Sequence, residues 1–108
     1  MSFKSLNIQE SIKIIHEGAL VIDVREEDEF RQVHIENSIL IPLSQISAQK
    51  LIEVNPENKK IIIHCKSGKR SKVAANILIN QNYIGEILEI DEGIMGWINS
   101  NLPVVSKL

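Results

Sequence analysis

The chain has 108 residues, of which 44% are hydrophobic, and carries 12 basic against 14 acidic side chains for a net charge of −2. That is the size of one ordinary domain, expected to span 1–108, with a modest core that needs no staples. With mean hydropathy near zero and a pI of about 5.9, the composition excludes a disordered chain and does not indicate a nucleic-acid partner. No stretch approaches the roughly 18 apolar residues of a membrane helix, and the start, Met1-Ser2-Phe3-Lys4-Ser5, has no apolar signal region. The single cysteine permits no internal disulfide and argues for a reducing, cytoplasmic setting without a membrane partner.

In chain order, Phe3–Leu6 is expected as a short edge strand. Asn7 or Ser11 can cap a helix with Ile8, Ile12 and Ile15 on one face, ended by Gly18. Ala19–Val24 is a near-continuous apolar run, as in a parallel strand covered on both faces. Ser38–Ile41 is a third strand stopped by Pro42, and Leu43–Val54 a helix turning Ile46, Leu51 and Val54 inward. After a turn at Pro56-Glu57-Asn58, Lys60–His64 reads as the central strand. Ser71–Gln81 is the next helix, with Val73, Ala74, Ile77 and Leu78 as its apolar stripe. Ile87–Ile90 is the last strand, and Asp91-Glu92-Gly93 leads to a short helix bearing Trp97, read as a core or rim plug rather than a stacking platform for substrate. Strands alternating with helices give an α/β fold of three layers, α/β/α, around a parallel sheet.

The chemistry concentrates in Cys65-Lys66-Ser67-Gly68-Lys69-Arg70-Ser71, between the central strand and its helix. In open α/β sheets ligands bind beyond the carboxyl ends of the strands. A helix N-terminus presents unpaired N–H groups and partial positive charge, which favour a thiolate as they favour any anion. Gly68 allows positive φ, so successive N–H groups can converge into an anion nest. Most free cysteines are small core residues, but a core cysteine is not normally followed by Lys-Ser-Gly-Lys-Arg-Ser. A dithiol mechanism needs a second cysteine, and a phosphate-binding Walker loop needs glycine at 63 and Ser or Thr at 70, where the chain has Ile63 and Arg70. The candidate nucleophile is therefore Cys65, with Lys66, Ser67, Gly68, Lys69, Arg70 and Ser71 as an anion-binding loop. No metal and no cofactor is called for.

Asp23 and Arg25 lie at the same rim and are read first as an ion pair supporting the pocket. His34 is read as a hydrogen-bonding residue. Alternation along the strand turns His64 away from Cys65, which argues against a Cys–His dyad.

The run from Cys65 to Ser71 resembles the active-site loop of single-domain rhodaneses, C-[RK]-x-G-x-R-S. Val21-Ile22-Asp23-Val24-Arg25-Glu26, Glu29-Phe30, His34-Ile35, Ile41-Pro42-Leu43, Gly93-Ile94-Met95-Gly96-Trp97 and Asn101-Leu102-Pro103-Val104 resemble further segments of that family, in order, over roughly residues 3–105. The chain departs from the pattern at Val33, Glu36-Asn37-Ser38, Asn82 and Glu92, where the family often has glycine or P-G-A. Asn37 and Asn82 tolerate a left-handed turn, Val33 would be strained in one, and Glu92 would place a carboxylate near an anion site if its loop borders the pocket. The resemblance implies five strands in the order 1-5-4-2-3 with the Cys65 strand in the middle. It also implies a sulfurtransferase that moves a sulfane sulfur from a small anionic donor such as thiosulfate to a thiophilic acceptor through a Cys65 persulfide. The alternatives are a persulfide carrier or regulatory module acting with a protein sulfur acceptor, and a phosphatase or arsenate reductase on the same fold. The last relatives have five residues between cysteine and arginine, against four here, leaving less room for a tetrahedral phosphate.

Overall fold

The computed structural model describes residues 2–107. Five parallel strands form the central sheet: β1 (Lys4–Leu6), β2 (Leu20–Asp23), β4 (Ile39–Leu40), β5 (Ile61–His64) and β6 (Ile87–Ile90). They lie in the order β1-β6-β5-β2-β4. Counted along the chain within this sheet, that is 1-5-4-2-3, the order the resemblance implied. β5 is fully buried along its length, as its run of β-branched isoleucines suits a middle strand covered on both faces.

Each face carries its own core. Ile22, Val24, Ile61, Ile63, Cys65 and Ile87 pack against Leu51 of α3 (Ala48–Val54) and Ala74, Ala75 and Leu78 of α4 (Lys69–Asn80). Val21, Ile62, Leu88 and Ile90 pack against Ile8 of α1 (Ile8–His16) and Ile94 and Trp97 of α5 (Gly93–Asn99). Trp97 is the expected plug, its indole N–H donating to Pro103 O at 2.9 Å. The start of α1 is set by Asn7 and Glu10, whose side chains each accept from the other's backbone N–H, at 2.8 and 2.9 Å.

Several local expectations are corrected. The segment expected as one helix over 43–54 is a 3₁₀ turn at Leu43–Gln45 followed by α3. Ile46 and Ser47 are extended between them, and Ser47 Oγ accepts from Lys50 N at 3.0 Å, capping a new helix rather than continuing the old one. α4 starts two residues earlier than expected, at Lys69, and Val73, placed in its apolar stripe, is 49% exposed. Ser71 and Ala75 take the inward positions instead. Three elements have no counterpart in the sequence reading: α2 (Glu27–Gln32), and β3 (Val33–Ile35) paired antiparallel with β7 (Val104–Ser106). Val33 is extended at φ −160°, so the feared strain is absent. Asn37 and Asn82 do take positive φ, 67° and 60°.

Candidate functional site

Cys65 follows β5 directly and is 1% exposed. Its side chain lies on the α4 face, and its sulfur does what a capping side chain does at a helix start. Gly68 N donates to Cys65 Sγ at 3.1 Å and Ser71 N at 3.3 Å. Gly68 is the N-cap of α4 with φ 103°, and none of its own atoms caps the helix. The left-handed turn brings the N-cap amide and the third helical amide onto one acceptor. A side chain at residue 68 would be strained at that φ and would collide with the backbone oxygen of Asp91. The sulfur thus sits at the positive end of a 12-residue helix, within reach of two otherwise orphaned donors. Ser71 Oγ completes the surround at 3.6 Å.

The loop is fixed from behind by α5. Ile94 N donates to Cys65 O at 2.9 Å and Met95 N to Lys66 O at 3.1 Å. Gly93 is required by that approach, since a Cβ there would lie 2.6 Å from Cys65 O. The side chain of Glu92 lines a groove with Asn7, Ile8 and Ile12, on the α1 side of the sheet.

On that opposite face, register places Asp23 beside His64. Arg25 Nη2 and Nε reach the Asp23 carboxylate at 2.8 to 3.1 Å, and Nη2 also donates to Val33 O at 2.7 Å. Asp23 and Arg25 are both buried. They form an ion pair with each other. His64 Nδ1 faces Cys65 O at 3.1 Å, so that nitrogen carries the proton of the neutral ring, and Nε2 is left 3.5 Å from Asp23 Oδ2. Burial lowers the His64 pKa from 6.5, outweighing the pull of Asp23. The ring touches the backbone of Cys65, not its sulfur, as alternation required.

The remaining loop residues separate. Lys66, Ser67 and Lys69 are exposed. Arg70 turns to the side and makes a two-pronged contact with Glu29 of α2, Nη1 to Oε1 at 2.7 Å and Nη2 to Oε2 at 3.0 Å. That guanidinium holds the Glu29 carboxyl down at about 2, and Glu29 in turn raises Arg70. Sequence reading also missed Glu89. It is completely buried on the Cys65 face, with Oε1 accepting from Ser71 Oγ at 2.6 Å and Oε2 lying 3.2 Å from Lys72 Nζ. Burial works against the Lys72 ammonium, but its contacts with Asp91 and Glu89 prevail and raise its pKa above 10.5. The available signal was a lone carboxylate inside the run Ile87-Leu88-Glu89-Ile90: in a strand buried on both faces, it must find a partner.

The model of the rhodanese-like domain matches residues 7–100. A sulfurtransferase from Allochromatium vinosum is 32% identical over 83% of this chain and 81% of its own length. The thiosulfate sulfurtransferase GlpE of Haemophilus influenzae is 27% identical over 96% of both chains. Among solved structures, a rhodanese-related protein from Thermoplasma volcanium superposes with a TM-score of 0.79 at 31% identity, covering 95% of this chain and 98% of that one. With the family's loop motif wrapped around a buried sulfur at the end of the middle strand, and with its model matching from α1 through α5, this chain belongs to the rhodanese-like domain family.

Proposed function

We propose that the chain is a sulfurtransferase in which Cys65 takes a sulfane sulfur from thiosulfate or a similar anionic donor and passes it to a thiophilic acceptor. The observation that carries this reading is the convergence of Gly68 N and Ser71 N on Cys65 Sγ at 3.1 and 3.3 Å. Fixed donors aimed at a sulfur stabilise it as an anion without reorganising during the reaction. That environment activates the nucleophile.

In the first half-reaction the Cys65 thiolate attacks the outer sulfur of the donor. The new S–S bond forms as the donor's own S–S bond breaks, and the electron pair leaves on sulfite, which needs no proton. The persulfide that remains is again an anion, and the amides of the loop are its natural partners. Exposed Lys66 and Lys69 supply positive charge for drawing a dianion to the mouth. Arg70 contributes less as a direct clamp than the motif suggests, because Glu29 already occupies its fork. In the second half-reaction a thiophile, small or carried by a protein, removes the outer sulfur.

The test is incubation with thiosulfate followed by intact-mass measurement. The wild type is expected to gain one sulfur atom and to release it to cyanide as thiocyanate. Cys65→Ser is expected to gain none. Comparable thiocyanate production by Cys65→Ser would rule the assignment out.

A further inference from the structure

Glu89 is fully buried on the strand beside that of Cys65, and the sulfur chemistry above makes no use of it. Three side chains form a line: Cys65 Sγ is 3.6 Å from Ser71 Oγ, and Ser71 Oγ is 2.6 Å from Glu89 Oε1. At its outer end Glu89 Oε2 faces Lys72 Nζ at 3.2 Å without hydrogen-bond alignment, and Lys72 is held by Asp91 at 2.8 Å.

Ser71 has a single hydroxyl proton. Glu89 Oε1, Gly68 O at 3.2 Å and an ionised sulfur compete for it. At 2.6 Å the carboxylate holds it, since that length belongs to a charge-assisted O–H···O⁻ bond. Ser71 then turns a lone pair to the sulfur: it can accept from S–H, and it cannot donate to a thiolate. Loss of the thiol proton to solvent would leave two anions on either side of one hydroxyl, and like charges sharing a site resist ionising together. The line offers another route. The S–H proton passes to Ser71 Oγ as the Ser71 proton passes to Glu89 Oε1. The net charge is unchanged, the thiolate gains the Ser71 hydroxyl as a third donor beside the two amides, and the buried carboxyl becomes neutral.

We propose that Cys65 and Glu89 share one proton through Ser71, which makes Glu89 a positioning residue that keeps the thiol's proton while the sulfur reacts. Its use in catalysis rests on the sulfur-transfer reading. While the thiolate displaces sulfite and becomes a persulfide, the proton stays on Glu89, so an incoming dianion meets one negative charge in the site rather than two. The other ionisable groups facing this line are Lys72 and Asp91 at its outer end and Arg70, paired with Glu29, at the loop. Asp23, Arg25 and His64 lie across the sheet.

The test follows ultraviolet thiolate absorbance and the rate of iodoacetamide alkylation against pH, for wild type and Glu89→Gln. Removing the competing anion is expected to move half-alkylation about one pH unit or more downward, which is about tenfold faster alkylation on the acid limb. An unchanged curve in a folded Glu89→Gln protein overturns the proposal. Should that variant fail to fold, wild type labelled at the glutamate carboxyl carbons decides by NMR. A buried carboxyl resonance is expected to move at the pH where thiolate absorbance appears, and to lose that movement once Cys65 is alkylated. Independent titration of the two groups overturns the proposal. Both measurements read protonation and not sulfur uptake, so either idea can fail while the other stands.

Discussion

Cys65 has a structural duty as well as a chemical one. Its sulfur is the acceptor for two N–H groups at the start of α4, and the residue is almost fully buried. Truncation to alanine would orphan both, and a buried donor left without a partner costs about 1–3 kcal/mol. Serine keeps an acceptor there but no sulfur. Cys65→Ala is therefore expected to lose about 1–3 kcal/mol of stability and Cys65→Ser distinctly less, while both lose sulfur uptake. Urea midpoints for the two variants check this, and equal midpoints would mean the amides find water or another partner. The same logic separates Cys65 from an ordinary core cysteine: its neighbours on one side are isoleucines, but on the other they are amides and a hydroxyl.

At the scale of elements, the loop is a junction of five of them. α4 supplies the amides, α5 donates to the carbonyls of Cys65 and Lys66, the ends of β2 and β5 with Arg25 just past β2 supply the Asp23–Arg25–His64 cluster behind, and α2 holds Arg70 through Glu29. α2 has six residues and none is buried, so little apolar packing keeps it in place and the Glu29–Arg70 fork is its main tie to the loop. A partly exposed but bidentate pair is worth about 1 kcal/mol. Glu29 ionises at about 2 in the folded protein, against an ordinary value of 4.5. The unfolded chain therefore binds the proton first as pH falls. The stability this pair contributes is complete above pH 4.5 and is lost as pH drops toward about 2. Glu29→Gln is expected to cost about 1 kcal/mol at neutral pH and to flatten the stability curve across that acid window. Chemical denaturation at several pH values measures both; an unaltered acid slope would show that the fork does not tie α2 to the loop.

For the whole molecule, the two faces of the sheet divide the work. The α4 face holds the sulfur, Ser71 and Glu89, and the α1–α5 face holds the ion pair and His64. His64 joins the two, because it sits among the second set and reaches the backbone of Cys65. Burial keeps its ring neutral below the ordinary 6.5. The unfolded chain thus takes up a proton at 6.5 that the folded one refuses, and stability falls as pH drops from 6.5 toward the lower folded value. Wild type is expected to lose stability as pH falls below 6.5, and His64→Asn to lose that slope, with proton uptake on unfolding as the measurement. Persistence of the slope in His64→Asn would assign it to another group. The sequence by itself pointed to the buried middle strands, because the apolar runs Ala19–Val24 and Ile61–Ile63 suit strands covered on both sides, and it singled out the loop, because a motif confined to seven consecutive residues is legible without its surroundings. It also brought Asp23 and Arg25 together, being two residues apart on one rim. Only the tertiary structure decided that Arg70 spends its fork on Glu29, 41 positions away, that β3 finds β7 from the other end of the chain, and that the proton of Ser71 is claimed by Glu89, 18 positions away. Those pairings depend on which strands become neighbours, and the spacing of residues along a chain carries no information about partners that a crossover brings together.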